Sequence, residues 1–424
     1  MATYECVNCG YREERNSTEP VLEKACPRCG GDMIIVSAPS EGTHNVTESP
    51  VLSLPWESLR EISPPEELDS KLREFYSLRF VETRGDMFVY VVEDVVERDF
   101  ERVLNEVESV GYWIALRKGS EGETYLFAFP AQEPKRSSNV MAVILLLATI
   151  FTTLMAGYLL SLGYISMLKA VGLSRNLNPY VDAVAFSASV MGILGTHEMA
   201  HKIAAKRHGI RATFPYFIPF PNILGTLGAM IRIKSPIPTR DAAIDVGASG
   251  PIAGFLVAIP VTIIGLHLSA VVPASAVSAV SSGKGLYIGQ NLLMLFLENV
   301  VLNVPKNSVL LLHPIAIAGW VGILVTFLNL IPAAQLDGGH IAGAILGERL
   351  HRYFTIGLAL TMMFMAPLWY GWLIWGILVM VMGLMGNPGP LDGLSPISKK
   401  RKLIIVAIVI IFILSATPVP LRYG

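Results

Sequence analysis

The chain has 424 residues, 52% of them hydrophobic and 16% charged, with mean hydropathy +0.51. That balance is too apolar for an ordinary soluble protein, and a formal net charge of -1 excludes a nucleic-acid binder held by bulk charge. The average hides two unlike parts: residues 1 to about 137 are polar and charge-rich, whereas residues 138–424 are mostly apolar with charge in short patches. The first apolar run of membrane length begins near Asn139, so no cleavable leader is expected.

All four cysteines fall at the start, as C-V-N-C-G and C-P-R-C-G: Cys6, Cys9, Cys26 and Cys29. Two C-x-x-C knuckles at this separation predict a zinc ribbon over residues 1–36, with a structural Zn2+ held by the four thiolates. A rubredoxin-type iron site uses similar ligands, and two disulfides are the other reading of the four cysteines. Metal thiolates favour a cytosolic N terminus. Residues 37–55, rich in Ser, Pro, Glu and Thr, read as a linker. The next stretch, 56–133, predicts a small α/β soluble domain. A hairpin runs from Phe80 to Glu93 around Arg84-Gly85-Asp86, and a helix from about Glu97 to Ser109 carries Phe100, Val103, Leu104 and Val107 at helical spacing. Strands follow at Tyr112–Arg117 and Thr124–Phe129. No catalytic constellation lies here, so binding or regulation, through a partner of the ribbon or of this domain, is the expectation.

Residues 138–424 predict a polytopic α-helical membrane domain of about seven spans. The apolar runs are 139–163, 181–204, 242–268, 314–333, 351–367, 369–386 and 403–418, and Ile288–Leu302, interrupted by Asn291 and Glu298, reads as an interfacial helix or an eighth span. Lys135-Arg136, Lys206-Arg207, Arg232, Lys234, Arg240 and Lys399 to Lys402 then share one side, which the positive-inside rule places in the cytosol with the N terminus. From Phe214 to Pro238 five prolines and two glycines forbid a straight spanning helix. This segment predicts a re-entrant β-hairpin near the active site, with Met230-Ile231-Arg232-Ile233-Lys234 alternating like a strand whose edge can pair with an extended peptide.

Within the second apolar run, His197, Glu198 and His201 spell H-E-M-A-H. Titratable groups at membrane depth cost several kcal/mol each, so three on one turn need a reason. Histidines four apart share a helix face and can hold one zinc, with the intervening glutamate as general base toward water. A catalytic zinc wants a third protein ligand, and the candidates are acidic or imidazole groups near membrane segments; N-L-I-P-A-A-Q-L-D-G (residues 329–338) offers Asp337 among them. A second L-D-G string at Leu391-Asp392-Gly393 lies in a Pro/Gly-rich loop and is set aside.

H-E-x-x-H in a membrane helix followed far downstream by N-x-x-P-x-x-x-L-D-G resembles the site-2 protease family of intramembrane zinc metalloproteases. Gly225-Thr226-x-Gly228 and Gly250-Pro251 resemble its archaeal and plastid subgroup. The resemblance covers about residues 185–345, taken here as the catalytic core. It implies His197, His201 and Asp337 on a catalytic Zn2+, Glu198 activating water, and Asn329 positioning substrate or its oxyanion. Gly225 and residues Met230, Ile231, Arg232, Ile233 and Lys234 are the substrate-binding candidates. The reaction expected is hydrolysis of a transmembrane protein substrate within the lipid bilayer, by a multi-pass protein and without nucleic acid. The competing class is a polytopic metal-binding transporter or a non-catalytic membrane protein using the same interior His, Glu and Asp. Against it, transport does not need Glu198, and no inverted repeat of the motif is visible.

Overall fold

The computed structural model describes residues 2–6, 12–15, 33–37, 63–95, 99–119, 122–132, 138–281, 286–302, 304–305, 307–386 and 389–423. The chain divides into two compact units, Met1–Glu61 and Ile62–Gly424. In the first, strands β1 (Ala2–Cys6), β2 (Arg12–Arg15) and β3 (Met33–Ser37) form an antiparallel sheet of order β2-β1-β3. Cys9, Cys26 and Cys29 of the expected ribbon, and the expected linker beyond Ser37, lie outside the described residues.

The second unit opens with the α/β segment. Helix α1 (Glu66–Phe75) was not expected from sequence, though its signals are present: acidic Glu66, Glu67 and Asp69 in the first turn, and Leu68, Leu72 and Phe75 at a spacing that buries one face. Strands β4 (Tyr76–Arg84) and β5 (Met87–Val95) form the expected hairpin. Helix α2 (Phe100–Glu108) follows, its N-terminus capped by Asp99 accepting the Arg102 N–H, and it buries Phe100, Val103, Leu104 and Val107. Strands β6 (Tyr112–Lys118) and β7 (Thr124–Pro130) complete an antiparallel sheet of order β4-β5-β7-β6. Both helices pack on it over a core containing the fully buried Leu72, Tyr90, Val103, Ile114 and Leu126.

Every apolar run expected to span is helical: α3 (Asn139–Ala170), α4 (Pro179–Arg207), then, beyond strands β8 (Tyr216–Pro219) and β9 (Thr226–Met230), α5 (Arg240–Leu268). Strand β10 (Ala270–Pro273), helix α6 (Ala274–Ser281), strand β11 (Leu286–Ile288), helix α7 (Leu292–Leu302) and strand β12 (Ser308–Leu311) form the far-side connection. The chain ends with α8 (Pro314–Asn329), α9 (Asp337–Leu346), α10 (Glu348–Phe364), α11 (Gly371–Leu384), α12 (Lys399–Ser415) and β13 (Leu421–Tyr423). Of these, α3 and α5 are by themselves long and apolar enough to cross a bilayer, while α7, α8 and α11 are apolar but shorter. Helix α4 is as long as α5 but carries Asp182, His197, Glu198, His201 and its terminal basic residues. Helix α5 sits between α4 and α8 and packs on both.

The expected strand at 230–234 is displaced. The hairpin strands are β8 and β9, with Tyr216 opposite Met230 and Phe217 opposite Ala229. Past Met230 the chain turns to residues 211–213: Thr213 N–H donates to Arg232 C=O, Lys234 N–H to Arg211 C=O, and Ala212 bridges Ile233. Pro236 and Pro238 stop this pairing from extending. At the hairpin turn, Asn222 Oδ1 accepts the N–H groups of Leu224 and Gly225, and Gly225 has φ +78°. Any side chain there would strike the backbone of Thr152 in α3, whose hydroxyl donates to Gly225 C=O at 2.6 Å. Gly225 therefore seats the hairpin on α3.

The α/β segment packs on the helical part of the same unit through several contacts, two of which matter most here. Leu116 in β6 pairs with the loop holding the second L-D-G: Leu116 N–H donates to Leu391 C=O, and Leu391 enters the α/β core. Secondly, His208, at the C-terminal end of α4, contacts Glu101 Oε1 and Asp245 Oδ2, each at 2.9 Å. The hydrogen bonds to Asp245 and Glu101 raise its pKa from 6.5 to about 9. With the folded value above the unfolded one, this contact stabilises fully below about pH 6.5 and is lost as pH rises through about 9. Thermal unfolding across that window is expected to show a falling midpoint that His208→Ala flattens. A parallel fall in the variant would remove His208 as the cause.

Candidate active site

Helix α4 runs without interruption through the H-E-M-A-H turn, so His197 and His201 stand one above the other, with ring centroids 4.8 Å apart. His197 and His201 are 3% and 5% exposed and Glu198 6%, far from the bulk water a charged or strongly polar group prefers. His201 Nδ1 lies 2.7 Å from the C=O of Val246 in α5, so it carries the proton and Nε2 presents its lone pair.

Asp337 comes to this pair from the N-terminus of α9. After α8 ends at Asn329 the chain reverses in a tight turn, with Ala334 at φ +52° and its N–H donating to Thr355 Oγ1. Gly338 lies so close to the C=O of Leu330 that a side chain there would collide with it, which accounts for the glycine of L-D-G. Asp337 Oδ2 lies 3.2 Å from His197 Nε2, Asp337 Oδ1 3.2 Å from His201 Nε2, and the two imidazole nitrogens 3.1 Å from each other. A tetrahedral zinc with bonds of about 2.0–2.1 Å sets its ligand atoms roughly 3.3 Å apart. The carboxylate meets the two imidazoles through different oxygens, and one donor atom from each of the three residues lies within 4.8 Å of the others, a set that can close around one ion. Two imidazole nitrogens and a carboxylate turned toward one point are the donor types that hold a zinc ion.

The structure thus brings His197, Glu198, His201 and Asp337 to one place, and Asn329 joins them, its Nδ2 3.4 Å from His197 Nε2. It does not bring Asp392, whose Oδ1 accepts the N–H groups of Leu394 and Ser395 in the docking loop. His340 and His351 also stand outside the donor set. Ile231 does reach the site, but through its backbone N–H, which donates to the Glu198 carboxylate. Arg232, Ile233 and Lys234 run away from it along residues 211–213.

Two residues without an expected role emerge on α5. A Cβ on Gly250 would overlap the His201 ring, and one on Gly254 would come within 3.1 Å of His197 Nδ1. The absence of side chains there lets α5 close over both imidazoles. Gly250→Ala is expected to displace His201 and weaken metal binding by roughly ten- to a hundredfold, as loss of an orienting contact does elsewhere. Gly254→Ala is expected to act more weakly, and Gly163→Ala in α3, with open space around it, to change nothing. Metal content after dialysis against a graded chelator reads this, and unchanged retention in Gly250→Ala would refute it.

Residues 185–368 match the family model described as Peptidase family M50. The match covers 184 of the 424 residues. The matched segment holds all five residues of the cluster. Among curated proteins, the chain is 32% identical over 251 residues to a "Probable zinc metalloprotease EGY1, chloroplastic" of Arabidopsis thaliana, covering 57% of this chain and 44% of that protein. It is 32% identical over 182 residues to a "Probable zinc metalloprotease EGY2, chloroplastic" of Oryza sativa subsp. indica, covering 41% of this chain and 31% of that protein. The chain therefore spans less than half the length of these relatives. The "Site-2 Protease from Methanocaldococcus jannaschii" aligns with a TM-score of 0.30 at 15% identity, over 58% of this chain and 91% of that one.

Proposed function

We propose that the chain is a membrane-embedded zinc metallopeptidase that hydrolyses peptide bonds of membrane-spanning substrates. The observation that carries this reading is the donor triangle of His197, His201 and Asp337, with Glu198 on the adjacent turn. His197, His201 and Asp337 would hold the zinc. When bound, the metal supplies a Lewis acid that polarises the scissile carbonyl and makes water more acidic. Glu198 takes the proton of the attacking water and delivers it to the leaving amine. The Asn329 side-chain amide donates to the oxyanion that develops on the carbonyl oxygen, a task worth on the order of 3 kcal/mol elsewhere.

Attack needs an extended peptide, because a helix hides its carbonyls. Among the described residues the outer edge of β9 has no strand partner, and β9 runs directly into Ile231, whose N–H lies on Glu198. A substrate strand added to that edge would pass the catalytic residue. The substrate-binding reading thus shifts from residues 231–234 to Thr226–Met230. We further propose about seven spans, the ribbon side cytosolic, and a structural zinc on Cys6, Cys9, Cys26 and Cys29.

The test is cleavage of a reconstituted transmembrane peptide. Removing metal with a chelator is expected to abolish cleavage, and adding zinc to restore it. Full activity in metal-free protein would remove the proposal. A transporter would instead show zinc flux across vesicles and no cleavage.

A further inference from the structure

A cavity of about 910 Å³ opens away from the metal centre, where the α/β segment, the docking loop and the start of α10 converge. Five cations line it: Arg117 and Lys118 from β6, Arg240 from the start of α5, and Arg349 and Arg352 from α10; Glu348 is the one acid. Arg240 donates to the C=O of Ala344 and Ile345 at the end of α9, and Arg117 to the C=O of Pro390 and Leu391. These carbonyls fix the two guanidinium groups without neutralising them. Arg349 and Arg352 make no ion pair among the described residues. So many cations around one cavity repel one another unless an anion sits among them.

The mouth of the cavity indicates which anion. Tyr353 lines it and is 65% exposed. From there Leu350, Phe354, Leu360 and Phe364, 55%, 44%, 54% and 87% exposed, continue along one face of α10. Their spacing is helical, and the stripe is about 21 Å long at 1.5 Å per residue, enough to lie along one leaflet of a bilayer. A basic cavity with a tyrosine at its lip, leading into an apolar stripe, matches a ligand with a phosphate at one end and acyl chains at the other. We infer that this cavity binds the headgroup of an anionic phospholipid, with the phosphate held by Arg349, Arg352 and Lys118 and the acyl chains lying along α10. Free phosphate offers the same headgroup chemistry but leaves the α10 stripe without a role.

The lipid would touch β6, the docking loop and α9 together. Helix α9 has Asp337 at its first residue and Arg240 fastened to its last carbonyls. Occupancy would thus hold the α/β segment against the helix that supplies the third metal donor.

The inference rests on the reading that these helices lie in a bilayer, and the test separates the two. Full-length protein in detergent is titrated with dioleoyl phosphatidic acid, dioleoyl phosphatidylcholine or inorganic phosphate, and bound lipid is counted by native mass spectrometry. Phosphatidic acid is expected to remain bound, phosphatidylcholine to dissociate, and phosphate to displace the lipid weakly. Arg349→Gln with Arg352→Gln is expected to lower retention of phosphatidic acid roughly thirtyfold, from two surface cations removed. Lys399→Gln with Lys400→Gln, equally basic but outside the cavity, is expected to leave it unchanged. Equal retention by both double variants, or displacement by phosphate as effective as by lipid, would overturn the assignment. If the protein sediments with vesicles while these results fail, only the cavity assignment falls. A protein that stays in the supernatant would remove the membrane reading and this inference with it.

Discussion

Glu198→Gln is expected to leave the metal bound and stop cleavage. The substitution keeps the side chain's length and shape at a site that is 6% exposed, so no cavity opens in α4. The amide oxygen still accepts the Ile231 N–H, which keeps the end of β9 beside the site. His197, His201 and Asp337 are untouched, so metal content should stay at the wild-type level. The lost function is proton acceptance: an amide cannot take a proton from water at neutral pH or pass one to the leaving amine. General-base removal costs about 10²–10⁴ in rate, and here the same group also serves as the acid. Turnover of a transmembrane peptide and metal per chain should therefore be measured on one preparation. Retained cleavage would assign the base elsewhere, and loss of metal would make Glu198 part of the binding shell.

The parts of the site that sequence made legible are those fixed by local geometry. Residues four apart on a helix must share a face, so His197 and His201 were readable as a pair once α4 was recognised. Asp337 was readable only through the resemblance, because the turn after α8 rests on Ala334 at positive φ and on carbonyls of Leu330 packed against Gly338, which no periodicity records. Gly250 was quoted for its motif but not its role, which appears only when α5 closes over His201. The strand was misplaced for a related reason. Met230 to Lys234 has strand-like alternation, yet Arg232 to Lys234 meet residues 211–213, whereas the glycine-containing Thr226–Met230 pairs with β8 where Gly225 seats the turn against α3. Long-range packing decided both. Helix α9 escaped notice because it starts at Asp337 itself and has ten residues, too short for an apolar run to stand out. His208 meets Asp245 of α5 on one side and Glu101 of the α/β segment on the other, long-range contacts that no local pattern records.

Asp337 and Asp392 occupy the same tripeptide, L-D-G, and are expected to fail in opposite ways. Asp337→Ala removes one vertex of the donor triangle, leaving two imidazole nitrogens 3.1 Å apart with no carboxylate between them and the solvent side. Two histidines do not make a stable zinc site, so both metal and cleavage should be lost, while the helices keep their packing. Asp392 is 1% exposed and far from that chemistry. Its carboxylate accepts the N–H groups of Leu394 and Ser395, and its own N–H donates to Pro238 C=O. Beside it, Leu391 enters the α/β core and bonds Leu116 through its C=O. Alanine at 392 leaves three partly buried donors, the N–H groups of Leu394 and Ser395 and the Ser395 hydroxyl, without their acceptor, at a cost of about 1 kcal/mol each. Asp392→Ala should thus lower the unfolding midpoint and loosen the α/β segment while keeping metal and, below the new midpoint, cleavage. Metal per chain and a thermal scan on each variant separate the two outcomes. If Asp392→Ala empties the metal site and Asp337→Ala does not, the donor triangle is not the metal centre and the second L-D-G is the catalytic one.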